Sequence, residues 1–322
     1  MEVEFAPLEG LTDRIYRSRH RRVFGGADRY YTPFLSPTGD GLLTEREKRQ
    51  VTPFEPDLVP QLLTKRPEDF SGAAKALANL GYGEVDLNLG CPSGTVTAKG
   101  KGAALLGAPE ELRRLLDGIF RDPPCRVSVK TRLGLRSPGE FPALLSILRD
   151  YPFARLILHP RTRDEGYRGE PHLEAFADLP ASVPFPVSAN GSFLAAGEVR
   201  SFTEEHPGIR AVMIGRGFLS DPALGRRLRG GPAAGREELR DFIGGLEADY
   251  LDAFGSERNV LFRMKEHLSY LAGRFGDWEV LGRKFCRAKS LSELRDLTCT
   301  ALASAPLRTE AAADETNAGF NC

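Results

Sequence analysis

A (β/α)8 barrel followed by a small helical domain is the fold class that this 322-residue sequence predicts. Three observations carry the prediction. Short β-rich runs recur eight times, and nearly all of them end in Gly, Pro, Asn or a charged residue. The stretches between them have room for one helix each and show helical spacing of apolar residues. The strand signal then stops at a glycine-rich break, Gly230-Gly231-Pro232-Ala233-Ala234-Gly235, and only helical patterns follow. The expected division is a catalytic barrel over 1–230, a helical domain over 236–305 and a disordered tail over 306–322.

In chain order the predicted strands are 3–7, 29–34, 58–63, 85–89, 126–132, 155–159, 185–189 and 211–214. In the segment 109–120, Leu112, Leu115, Leu116, Ile119 and Phe120 follow helical spacing and define a buried stripe. Ser137-Pro138-Gly139-Glu140 reads as an N-cap, a proline in the first turn and a capping-box glutamate. Phe141, Leu144, Leu145 and Leu148 are then the expected buried stripe of the helix that follows. An open doubly wound sheet is the rival, but its first strand would lead into a GxGxxG loop. Ala6-Pro7-Leu8-Glu9-Gly10 stands there instead, which favours the barrel. Beyond the break, 237–254, 259–275 and 290–303 are predicted helices.

Composition narrows the function classes. With 44 Lys+Arg against 44 Asp+Glu and 41% hydrophobic residues, the chain is neither disordered nor globally attracted to nucleic acid. Any such partner must be held by a local patch. No apolar run approaches the ~20 residues needed to span a bilayer, so no membrane partner is expected. MEVEFAPLEG shows no secretion signal. Cys91, Cys125, Cys286, Cys299 and Cys322 form no CxxC pair and have no histidine at metal spacing. That excludes a zinc ribbon and a disulfide framework, predicts no metal, and fits a reducing cytoplasm. No coiled-coil heptad calls for an oligomer, so a monomer is expected.

Side chains at the C-terminal ends of barrel strands face the active site. Those positions hold Pro7-Leu8-Glu9, Gln61, Asn88 through Pro92, Lys130-Thr131-Arg132, His159-Pro160-Arg161, Asn190-Gly191-Ser192 and Gly215-Arg216-Gly217. A purely structural barrel would not need so many polar groups on one rim. The loops after the last two strands commonly bind phosphate in such barrels. Here their small residues let backbone N–H groups approach an anion, and Arg216 adds a charged fork. The plain alternative is that these glycines serve tight turns. Cys91 sits in a loop rather than on an apolar helix face, where a thiol can act as nucleophile or as proton donor. Lys130 ends a buried strand and reads either as a partner for an anion or as a solvated rim residue. His159 reads equally as a functional or a core imidazole.

Several ordered motifs resemble the tRNA-dihydrouridine synthases. They are Ala6-Pro7-Leu8-Glu9-Gly10 with Thr12-Asp13, Gln61-Leu62 with Pro67, Asp86-Leu87-Asn88-Leu89-Gly90-Cys91-Pro92-Ser93 and Gly102-Ala103-Ala104-Leu105-Leu106. The series continues with Val129-Lys130-Thr131-Arg132-Leu133-Gly134, His159-Pro160-Arg161-Thr162, Tyr167-x-Gly169, Ala189-Asn190-Gly191 and Met213-Ile214-Gly215-Arg216-Gly217. The resemblance implies an FMN-containing barrel joined to a helical tRNA-binding domain, with NADPH or NADH as reductant and hydride delivered to C6 of a uracil. It implies that Cys91 is the proton donor to C5. It places Pro7, Leu8, Glu9, Gln61, Lys130, His159, Asn190, Gly191, Ser192, Gly215 and Arg216 around the flavin. Asn88 and Arg161 fall to the substrate. Two departures stand out: Pro160 follows the histidine where Gly is usual, and Ser192 occupies a commonly acidic position.

For tRNA, residues 258–289 carry eight basic and three acidic side chains, whereas 237–252 carry one basic and six acidic. Opposed patches therefore hide inside the neutral total, and Arg263 and Lys265 are the expected phosphate contacts. Two other readings compete. One is an FMN barrel oxidoreductase acting on a small molecule of the dihydroorotate or enoate type, which would not need the basic appendage. The other is a tRNA-binding relative without catalysis, against which the presence of Cys91 and Lys130 speaks.

Overall fold

Short strands of aliphatic and aromatic residues form one parallel sheet in the computed structural model, which describes residues 1–312. They are β1 (Glu2–Phe5), β2 (Arg29–Tyr31), β3 (Leu58–Val59), β4 (Gln61–Leu62), β5 (Glu84–Leu89), β6 (Arg126–Arg132), β7 (Leu156–His159), β8 (Val187–Ala189) and β9 (Ala211–Ile214). The sheet order is β3-β2-β1-β9-β8-β7-β6-β5-β4. Only Pro60 separates β3 from β4, and a proline has no N–H to give to a ladder. β3 pairs with β2 and β4 pairs with β5, so the two halves of one predicted strand join the ends of the sheet. The barrel is thereby closed with eight strands. The predicted strand 29–34 stops at Tyr31, yet Leu35 returns to bridge Leu62.

Among the described residues, fourteen α-helices accompany the strands: α1 (Arg14–Val23), α2 (Glu45–Val51), α3 (Pro67–Asn79), α4 (Gly94–Thr97), α5 (Pro109–Phe120), α6 (Phe141–Leu148), α7 (Leu179–Ser182), α8 (Ala196–Glu205), α9 (Arg216–Ser220), α10 (Leu224–Leu228), α11 (Arg236–Phe254), α12 (Glu257–Leu271), α13 (Trp278–Arg287) and α14 (Leu291–Ser304). The capping box forms as predicted, with Glu140 Oε1 accepting from Ser137 N at 3.0 Å. A 3-10 turn over Pro138–Glu140 precedes α6. α6 then buries Phe141, Leu144 and Leu148 of the predicted stripe, with Ile147 in place of Leu145. No described helix is long and apolar enough to cross a membrane.

The chain packs as two compact units whose boundary does not follow the glycine-rich break. Unit 1 comprises 1–9, 28–191 and 203–213; unit 2 comprises 10–27, 192–202 and the chain from 214 on. The N-terminal helix α1 belongs to unit 2 because its aromatic residues pack on α11. Tyr16 and Phe24 meet Phe242 with ring centroids 5.6 and 5.1 Å apart. The expected disordered tail is held as far as Ala312. Arg308 N and Ala312 N donate to the carbonyls of Arg274 and Gly273, both at 2.8 Å, and the buried Arg274 donates to Thr309 O at 2.9 Å. A buried guanidinium needs acceptors, and the tail carbonyl provides one. The remainder of that expected tail, 313–322, lies outside the described residues.

Inside the barrel, residues two apart on a strand share a face. In β5 this places Asp86 and Asn88 together between Val85, Leu87 and Leu89. The register then sets Gln61 beside Asp86, Asp86 beside Ser128 and Asn88 beside Lys130. An apolar cluster of Ala6, Tyr31, Val59, Ile157 and Met213 shares the interior.

Candidate active site

Cys91 lies on the loop from β5 to α4, and three groups of unit 1 hold that loop. Asn88 Oδ1 accepts from Gly90 N at 3.1 Å and from Cys91 N at 2.9 Å. Ala103 N donates to Cys91 O at 3.1 Å. Arg132, at the end of β6, donates from Nε to Gly90 O at 2.8 Å and from Nη1 to Thr162 O and Gly166 O at 3.0 and 2.8 Å. Gly102 has φ +60°, and a Cβ there would meet Cys91 O at 3.0 Å and Cys91 Cβ at 3.2 Å. Glycine readily adopts that conformation and leaves the Cys91 carbonyl and Cβ their space. The Cys91 side chain is half-buried, and burial pushes the thiol above its ordinary value while Arg132 pulls it back. At neutral pH the thiol therefore keeps its proton.

Lys130 lies in register with Asn88, half-buried near the mouth of the barrel. Burial pushes its ammonium down to about 8, Arg132 adds to the fall, and Asp86 opposes it. Lys130 is thus charged at pH 7 and loses its charge as pH rises through 8. Gln61 is buried, donates from Nε2 to Asp86 Oδ2 at 2.7 Å and accepts on Oε1 from Asn88 Nδ2 at 2.7 Å. Each of these amides retains one further N–H. Pro7 and Leu8 are half-buried just beyond β1, and Glu9 is exposed. The Glu9 carboxylate acts on the Cys91 thiol, raising its pKa.

His159 is buried, and its Nδ1 lies 2.8 Å from Asn190 O, so Nδ1 carries the proton. Burial, then Arg132 and Lys130, hold the imidazole well below its ordinary value, and it is neutral. Asn190 Nδ2 donates to Met213 O at 2.9 Å, fastening the loop after β8 to β9, and Gly191 beside it is buried. Arg161 was expected beside the substrate. It is 3% exposed, and its Nε and Nη2 both donate to Gly169 O, at 3.1 and 2.7 Å. The guanidinium is engaged in holding its own loop.

In unit 2, the loops after β8 and β9 bring Ser192 and Arg216 together, with Arg216 Nη2 donating to Ser192 Oγ at 3.1 Å. Both are half-buried, as is Gly215 at the N-terminus of α9. A Cβ on Gly217 would collide with Phe193 O, so the chain needs glycine for this close approach.

The basic segment is also rearranged. Lys265 is 8% exposed and Arg263 reaches the turn at Gly10, because both lie on the part of α12 that packs within unit 2. Lys265 is therefore buried and Arg263 half-buried, with Arg263 Nη1 3.5 Å from Glu266 Oε2, so neither stands among the exposed cations of the segment. The exposed cations of the segment are Arg258, Arg283, Lys284, Arg287 and Lys289, three of them on α13, a helix the sequence reading did not predict.

Two residues escaped the sequence reading as site residues. Arg132 clamps the Cys91 loop, and Asp86 anchors Gln61. A visible signal existed for Asp86: a carboxylate alternating with apolar residues in a strand buried throughout.

The family model described as dihydrouridine synthase (Dus) matches residues 4–269. A protein of Ralstonia nicotianae named tRNA-dihydrouridine(16) synthase is 35% identical over 257 residues, 76% of this chain and 78% of that protein. The tRNA-dihydrouridine(16) synthase of Escherichia coli is 33% identical over 242 residues, covering 70% and 75%. The probable tRNA-dihydrouridine synthase 1 of Synechocystis is 29% identical over 311 residues, covering 94% and 86%. Among solved structures, a variant of NCR from Zymomonas mobilis superposes with a TM-score of 0.51 at 16% identity, covering 72% of this chain and 88% of that one. That likeness concerns the fold alone.

Proposed function

The chain belongs to the dihydrouridine synthase family, and from this premise we propose that it reduces the C5–C6 double bond of a uridine in tRNA, with Cys91 as proton donor. Relatives named for position 16, at 33–35% identity, favour that uridine as the target. The observation that carries the mechanism is the protonated, half-buried Cys91 thiol on a loop pinned through Asn88 and Arg132.

The residues present fit FMN. Unit 1 offers Lys130 as a cation for the electron-rich pyrimidine edge of a reduced flavin. Beside it, Gln61 keeps a spare N–H and a spare lone pair for the same edge. Pro7, Leu8, Glu9, His159, Asn190 and Gly191 complete the proposed flavin contacts of that unit. In unit 2, Arg216, Ser192 and Gly215 offer donors suited to a phosphate. When bound, the flavin supplies hydride to uracil C6 after reduction by NADPH or NADH.

The remaining chemistry belongs to the chain. Asn88 presents its free N–H to the base, and Cys91 Sγ–H gives its proton to C5 as charge develops there. One hydride and one proton add across the double bond, and the thiolate recovers its proton from solvent. Because the base must reach the thiol, it has to leave its stack or be unpaired already. The exposed cations of α13 are the proposed hold on the tRNA backbone, and the cytoplasm the proposed compartment.

Mapping dihydrouridine in tRNA from cells lacking this protein tests the proposal. The expected result is loss of the modification at one site, position 16. An unchanged map, or a purified protein that is colourless and cannot be reconstituted with FMN, would overturn it.

A further inference from the structure

We propose that Asp86 is a positioning residue that sets the hydrogen-bond polarity of Gln61 and Asn88 and, through them, the pose of the Cys91 loop. This rests on the reading of Cys91 as proton donor. The chain of contacts runs from Asp86 Oδ2 to Gln61 Nε2, from Gln61 Oε1 to Asn88 Nδ2, and from Asn88 Oδ1 to the N–H groups of Gly90 and Cys91. Every heavy-atom separation in it lies between 2.7 and 3.1 Å.

The loop end of this chain allows only one role, and so does the other end whenever Asp86 is ionised. A backbone N–H only donates, and an ionised carboxylate only accepts. Between them stand two side-chain amides, each with a donor end and an acceptor end. Of the four ways to orient the two amides, one satisfies every contact, and it is the one observed. A flip of either amide would set two donors or two acceptors face to face in a buried site.

Asp86 is well placed for this task. It is fully buried, and its other oxygen, Oδ1, accepts from Ser128 Oγ at 2.8 Å. Burial pushes the carboxyl up to about 7 even against Gln61, Ser128 and Lys130, which favour the ionised form, so Asp86 is chiefly a carboxylate above about pH 7. Without the carboxylate, nothing at that end obliges Gln61 to turn its oxygen towards Asn88. The loop N–H groups would still hold the Asn88 oxygen, but Asn88 Nδ2 would lose its assured acceptor and the loop the support behind it. An asparagine at position 86 preserves the polarity: its oxygen faces Gln61, and its amide N–H faces Ser128, whose hydroxyl can turn to accept.

Labelling of the full-length protein with iodoacetamide, followed by peptide mass spectrometry, reads the loop without needing flavin or tRNA. Cys125 and Cys299, which are free thiols, serve as internal references. In Asp86→Ala the Cys91 labelling rate relative to the references should rise about five-fold, the factor one lost hydrogen bond is worth. In Asp86→Asn it should stay within about two-fold of wild type. In the FMN-loaded enzyme, Asp86→Ala should lower kcat for tRNA reduction about ten-fold with KM unchanged, and Asp86→Asn should restore most of it. A folded Asp86→Ala protein with wild-type Cys91 labelling overturns the proposal. Should that variant not fold, Ser128→Ala decides, with a rise of about two-fold expected and no change overturning. A wild-type enzyme that forms no dihydrouridine would sink the proposed function and leave the labelling result standing.

Discussion

Each unit of this protein contains a hydrogen-bond chain headed by an aspartate, fully buried in Asp86 and half-buried in Asp13, and the two chains serve different ends. In unit 1, Asp86 leads through the amides of Gln61 and Asn88 to the Cys91 loop. In unit 2, Asp13 caps α1 through Tyr16 N at 3.0 Å and accepts from Tyr250 OH at 3.0 Å. Tyr250 Oη in turn lies 3.0 Å from His267 Nε2, and the His267 ring stacks on Tyr16 with centroids 4.7 Å apart. The amide chain keeps unused N–H groups at the mouth of a barrel. The aromatic chain is closed by ring packing, and His267 Nδ1 is buried without a hydrogen-bond partner among the described residues. Buried polar groups thus hold a reactive loop in one unit and a helix contact in the other. What separates the site from the strut is where spare valence lies, on amides beside a half-buried thiol in the first and on an imidazole enclosed by aromatic rings in the second.

The largest expected effect tests the outlet of the first chain. Cys91→Ala should slow single-turnover reduction of tRNA by about 10²–10⁴-fold, the usual worth of a positioned general acid. FMN binding and slow NADPH oxidation by oxygen should stay nearly intact. Wild-type single-turnover rates would remove Cys91 from the chemistry and erase the contrast. Arg216→Ala should weaken FMN retention by about ten- to a hundred-fold, since hydrogen bonds to charged groups are worth about 1.5–3 kcal/mol. Fluorescence titration of apoprotein checks this, and undiminished affinity would confine unit 2 to structure and RNA.

A triple substitution on α13, Arg283→Ala, Lys284→Ala and Arg287→Ala, should flatten the salt dependence of tRNA binding by about two in log–log slope. An unchanged slope moves the RNA contact off this helix. The smallest effects belong to the aromatic chain. Tyr250→Phe should cost about 1 kcal/mol of stability by denaturant titration while leaving Cys91 labelling and tRNA reduction alone. A loss of activity at constant stability would mean the second chain is not a strut.

The aromatic chain also carries a pH signature. Burial, with Arg263 adding, pushes His267 down to about 3, whereas in the unfolded chain it titrates near its ordinary 6.5. Between these values the unfolded state binds the extra proton. The stability that depends on a neutral His267 is therefore complete above pH 6.5 and is lost as pH falls towards 3. His267→Gln should make that decline shallower by about 1.4 kcal/mol per pH unit. An identical slope in the variant would show that the ring is not held neutral by the fold.

What the sequence determined by itself is local in cause. Strand runs ended by turn residues, the Ser137–Glu140 capping box and the loop position of Cys91 all follow from backbone preferences and residue spacing within a few positions. The barrel was legible for the same reason, since alternation of strand and helix is a property of the chain order. Three outcomes needed the tertiary structure. Lys265 looked like an exposed cation because charge alone does not reveal which face of α12 is buried; only packing decides that. Asp86 drew no role because its partner Gln61 is 25 residues away and becomes a neighbour only through the register of β4 on β5. The units themselves are interleaved, with α1 placed by Tyr16 and Phe24 against Phe242 of α11. Burial and register are sums over distant segments, and no window of sequence contains them.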